Sequence, residues 1–129
     1  MTNDPKDVVF GTKMSDWISR VPNELPRDAV GLWQIIPAGE INFKLSGHVL
    51  VDYVRRNILA LLGAGALPVI GGKGTGFAWV HQPQFGMTND EIVRNVIAEW
   101  LSVGNNVDDL IGSVWFALPR PGTKYIKMD

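Results

Sequence analysis

Few side chains in this 129-residue chain are suited to acid–base or nucleophilic chemistry, and none sits in a catalytic spacing. There is no cysteine, which removes disulfides, thiol nucleophiles and thiolate zinc sites together. Of the two histidines, His48 falls in the first turn of a helical stretch. The positive end of the helix dipole disfavours an imidazolium there, so His48 reads as a neutral surface ring. His81 shares a strand face with Phe77 and Trp79 by simple alternation. An imidazole among aromatic rings is the one general base or ligand contact the sequence offers. No metal and no cofactor is expected.

The remaining candidates give way to plainer readings. Asp108 and Asp109 are adjacent and diverge in an extended loop, whereas paired acid/base carboxylates must face each other across a substrate. They read as turn formers or a helix cap. Glu40 and Glu99 are isolated, and no serine stands in a nucleophile-elbow context. The run Gly71-Gly72-Lys73-Gly74-Thr75-Gly76 suggests a phosphate cradle, but Lys73 is followed by glycine where a Walker loop needs Ser or Thr. The run also leads into a strand, whereas the phosphate-binding motifs open a helix. Trp33, Trp79 and Trp115 suggest a stacking platform for nucleobases, but their strands carry no Lys or Arg and the chain has a net charge of −1. No nucleic acid is expected. If the protein binds a ligand or partner, the residues expected to line the site are Trp79, His81, Trp115 and Tyr53.

These residues are placed by a simple succession of elements. Residues 1–13 read as a flexible leader, with Val8-Val9-Phe10 able to pin it as an edge strand, and 14–129 as a single domain. A short helix follows, with Ser15 as N-cap and Trp17, Ile18 and Val21 as its apolar contacts, ended by Pro22 and Pro26. A first strand is expected over 30–36, stopped by Pro37-Ala38-Gly39. Ser46 then caps a long helix with an apolar stripe of Leu50, Val51, Val54, Ile58, Leu61 and Leu62. Asp52 pairs with Arg56 on its far side, and Leu59 falls out of place among the charges. Strands at 67–70 and 77–82 form a hairpin around the glycine run, which its length and composition mark as mobile. Thr88 and Glu91 form a capping box for a second long helix, and Ile92, Val93, Val96, Ile97, Trp100 and Leu101 share its inner face. A last strand is expected over 113–118, stopped by Pro119 and Pro121.

That order is a short helix followed by βαββαβ. It predicts an α+β, ferredoxin-like fold: a four-stranded antiparallel sheet with two helices on one face. Three of the expected strands, 32–36, 77–81 and 114–118, are apolar on both sides and each carries a tryptophan. Both faces of the sheet must therefore lie against something. The helices cover one. Residues 8–21 or a second copy of the chain would cover the other.

The composition, 46% hydrophobic and 19% charged, is that of an ordinary globular domain large enough to bury a core. The polar N-terminus lacks a signal-peptide core, and the longest apolar run, 58–70, is too short and too interrupted to span a bilayer. Absence of cysteine fits a cytoplasmic protein. The expectation is a small non-enzymatic interaction protein, homodimeric and binding a partner protein, of adaptor or immunity type. The alternative is a metal-free small-molecule binder or cofactor-independent enzyme with an aromatic pocket near His81.

Overall fold

A computed structural model describes residues 4–104, 114–120 and 122–124. Among the described residues four α-helices, α1 (Met14–Arg20), α2 (Leu32–Asn42), α3 (Gly47–Gly63) and α4 (Asn89–Val103), accompany a five-stranded sheet. Its strands are β1 (Val30–Gly31), β2 (Leu67–Gly71), β3 (Trp79–His81), β4 (Trp115–Ala117) and β5 (Thr123–Lys124), in the spatial order β1-β4-β2-β3-β5. All neighbours are antiparallel except β3 and β5, which are parallel.

The α+β class stands, but the ferredoxin-like arrangement does not. The sheet is five-stranded and mixed, and the expected first strand is largely helix. Only Val30 and Gly31 pair with β4; from Leu32 the chain turns into α2. An apolar run of this length fits a buried helix as well as a buried strand. Two local features favour the helix. Leu32, Ile35, Ile36 and Gly39 are its buried residues, at helical spacing. Gln34 folds back so that its Oε1 accepts the N–H of Gly31 at 2.9 Å, the reciprocal half of a capping box. Pro37 lies inside α2 and does not end it. The first strand is thus reduced to a two-residue edge, and β4 and β2 take the central places with β3.

The long helices follow their patterns closely. In α3 the buried side chains are Leu50, Tyr53, Val54, Asn57, Ile58, Leu61 and Leu62, and α1, α2 and α4 all pack on this helix. Each large aliphatic residue moved fully from water contributes about 1.5–3 kcal/mol. Ser46 stands at its N-cap without using its hydroxyl. Asp52 pairs with Arg55 at 3.0 Å, not with Arg56; both partners are exposed, so the pair adds only a few tenths of a kcal/mol. In α4 the Thr88–Glu91 capping box forms as expected, while Leu101 is exposed. For α1 the N-cap residue is Lys13 and not Ser15, and the Asp4 carboxylate accepts the Ser15 N–H at 3.0 Å and hydroxyl at 2.6 Å. The glycine run joins β2 to β3 in a turn closed by Thr75, which donates N–H and hydroxyl to the Gly72 carbonyl at 2.9 and 2.6 Å.

The main core lies between the helices and one sheet face, to which β1 and β4 contribute Val30 and Phe116. Its tightest point is the crossing of α2 and α3. A Cβ on Gly39 would fall 2.5 Å from Cε1 of Tyr53, and the Tyr53 hydroxyl donates to the Ile35 carbonyl at 2.9 Å. Gly39→Ala is therefore expected to destabilise the fold by about 1–3 kcal/mol through overpacking. Urea unfolding checks this; an unchanged midpoint would mean the helices are free to separate.

Candidate functional site

The second face of the sheet holds a smaller core of Ala29, Val69 and Ala117, with Leu67, Trp79 and Trp115 packed on it and only partly buried. Register explains the grouping. Val69 lies opposite Trp115 on β4 and opposite His81 on β3, and alternation turns Trp79 to the same side. Ring centroids of Trp79 and Trp115 are 5.0 Å apart. Trp33, reaching across from the first turn of α2, adds a third ring 6.0 Å from Trp115. Such tilted aromatic pairs contribute about 0.5–1.5 kcal/mol beyond the area they bury.

Gly31 makes room for this row. It pairs directly with Trp115, and a Cβ there would lie 2.8 Å from both Trp115 Cδ2 and Trp33 Cδ1. The indole N–H of Trp33 is buried and has no hydrogen-bond partner among the described residues. It is a donor left over where polar groups are normally paired.

The expected site residues are only partly brought together. Trp79, Trp115 and His81 share this face, with His81 buried. Tyr53 is elsewhere: it is fully buried in the main core against Trp17 and Phe43, and burial pushes its phenol far above the ordinary value. Trp33 belongs to the row from a helix, although its sequence context reads as a strand. Among the described residues of β2, β3 and β4 on this face, His81 is the one with a titratable side chain, its companions being Leu67, Val69, Gly71, Trp79, Trp115 and Ala117. His48 is exposed in the first turn of α3. Asp108 and Asp109 lie outside the described residues. Among the described residues no group of three or more His, Asp or Glu is placed to hold a metal ion, and no helix is long and apolar enough to cross a membrane.

Residues 8–21 do not cover the tryptophan face. Ile18 is buried in the main core and Trp17 packs against it, while Val8, Val9 and Phe10 are 57%, 72% and 84% exposed. These three form the tip of a turn that is fastened down from beneath. The Asp7 carboxylate accepts the N–H groups of Val9 and Phe10 at 2.7 and 2.9 Å, and the side-chain amide of Asn42 at 3.0 Å. The Val8 N–H donates to the Asn42 carbonyl, and Lys6 bridges Lys13 across the base. Gly11, at φ +72°, closes the turn by donating to the Asp7 carbonyl. The sequence signal was present as an Asp two and three residues before the amides it accepts. Its meaning depends on Asn42, far along the chain.

Elsewhere, Leu59 proves to be one wall of a cavity of about 320 Å³ between α3 and α4, shared with Arg55, Asp90, Val93, Arg94 and Ile97. It is remote in sequence from the tryptophans and carries charges of both signs.

No protein-family model, no curated protein and no solved structure matches this chain.

Two outcomes follow. Gly31→Ala should push Trp115 off its seat, reducing the near-ultraviolet circular dichroism of the indoles while the far-ultraviolet spectrum is kept. Loss of both signals together would mean that Gly31 supports the whole fold. For the turn, hydrogen bonds from the Phe10 and then the Val9 amide hold the Asp7 carboxyl below its ordinary value of 3.8. A depressed carboxyl lends its stability above the unfolded value and loses it as pH falls through the folded one. The Val9 and Phe10 amide resonances should therefore move with a midpoint below 3.8; a midpoint above it would show that the carboxylate does not hold them.

Proposed function

We propose that this chain is a non-enzymatic interaction protein that pairs with a second copy of itself and binds a partner protein through the tryptophan face of its sheet. The observation that carries the reading is the row Trp33–Trp115–Trp79, partly exposed over a thin apolar core. Tryptophan is enriched among residues that dominate binding energies at protein interfaces, because it offers a large, stiff apolar area with one polar handle. A contiguous aromatic strip on a sheet face lowers its free energy when a partner removes it from water. The proposed partner is a folded protein, in an adaptor or immunity-type role. The slight negative charge supplies no attraction for nucleic acid. A cysteine-free sequence suits a reducing compartment, so the protein is assigned to the cytoplasm.

The alternative, a small-molecule binder or cofactor-independent enzyme centred on His81, has less support. Tyr53, one of the residues expected to line that pocket, lies in the other core.

The experiment compares wild type, Trp79→Ser and His81→Ala as baits in pull-downs, with a native mass spectrum of each. A protein retained by wild type and His81→Ala, and reduced at least tenfold with Trp79→Ser, supports the reading. Equal recovery by all three would refute it. A bound small mass that disappears in His81→Ala would transfer the assignment to the alternative.

A further inference from the structure

The fastened turn at residues 7–11 has a counterpart on the same chain. Trp17, Val21, Val30 and Ile35, with Gln34 and Glu24, line a cavity of about 170 Å³ between α1 and α2. It continues into a second space of about 310 Å³ bordered by Trp17, Arg20, Val21 and Glu24. An apolar cavity of roughly 150 Å³ holds a benzene ring, so the inner space admits a phenylalanine side chain. The charges also correspond. Glu24 lines the groove, while the exposed Lys6 and Lys13 flank the turn; no ion pair joins any of the three among the described residues. Arg20, of the same sign as the lysines, borders only the outer space. Phe10 does not fill its own groove, because it is 84% exposed.

We infer that the Val8-Val9-Phe10 finger of one copy enters the Trp17 groove of a second copy, with Lys6 or Lys13 meeting Glu24 at the rim. Each chain carries one knob and one hole, and the inferred assembly is the two-fold dimer in which both contacts are made at once, the knob of each copy in the hole of the other. An aromatic anchor in a fitted pocket, ringed by polar groups, is the arrangement that dominates interface energies. The hydrogen bonds from Asp7 and Asn42 fix the finger beforehand, which lowers the ordering cost of association. The tryptophan face is left free for the partner protein. The inference rests on the self-pairing part of the proposed function and names the surface responsible.

The test is sedimentation velocity on the full chain over a wide concentration series. Wild type should dimerise. Phe10→Ala, a change at an exposed tip that leaves the core intact, should weaken the dimer by roughly a hundredfold or more, since two anchors are lost per dimer. Val21→Trp, which fills the groove, should do the same. An equimolar mixture of the two variants should form mixed dimers more readily than either alone, because one intact knob faces one intact hole. A simple folding defect in either variant gives no such rescue. A dimer insensitive to Phe10→Ala but broken by Trp79→Ser would overturn this inference while leaving self-pairing in place. A wild type that stays monomeric overturns both. Phe10-dependent sedimentation of a monomer with anionic phospholipid vesicles would overturn it in favour of a lipid surface.

Discussion

The buried hydroxyl of Tyr53 ties the helical layer together. A phenol taken from water without a hydrogen-bond partner costs several kcal/mol, and here it finds the Ile35 carbonyl on α2. That bond is made only if α2 lies close against α3, and glycine at position 39 permits the approach. The ring meanwhile contacts Trp17 of α1 and Phe43 beyond α2. One residue in the middle of α3 thus constrains three other segments. Asn57, one turn later, donates its side-chain amide to the Tyr53 carbonyl at 2.9 Å, while its buried Oδ1 has no hydrogen-bond partner among the described residues.

The candidate surfaces depend on that clamp. Because α2 is held against α3, its first turn delivers Trp33 to the edge of the sheet, against Trp115 of β4, the residue that pairs with Gly31. Its last turn offers Asn42 to the Asp7 turn. The tryptophan row and the apolar finger are therefore organised from the two ends of one helix. Displacement of α2 would disturb both, although neither surface touches Tyr53.

The sequence was most legible where local chemistry and hydrophobic period agreed. The Thr88 capping box, the α4 stripe, the α3 stripe and the hairpin around the glycine run all lie where their residues place them. The aromatic neighbourhood of His81 with Trp79 followed from alternation alone. Leu32–Ile36 misled because bulky apolar residues in a short run satisfy either a strand or a helix. The back-folded Gln34 was the subtler clue. Once that segment became helix, the four-strand order could not survive. β1 kept two residues, β4 moved to the interior of the sheet, and β5 paired in parallel beyond β3. Tyr53 was grouped with the wrong aromatics because its helix face gives its direction but not what lies opposite.

By itself the sequence determined the residue chemistry: an absence of cysteine, sparse histidine, tryptophans in apolar segments, and helices whose faces are set by a period of 3.6 residues. Those are properties of single segments, governed by backbone geometry and local hydrogen bonds within a few positions. Tertiary structure decided which segments meet. The stacking of Trp33 on Trp115 needs a helix start and a distant strand to converge over a glycine. The exposed finger needs Asp7 to find Asn42. The groove needs α1 and α2 to stop short of closing on each other. Such contacts depend on long-range packing, where many arrangements bury similar apolar area and steric fit selects one of them.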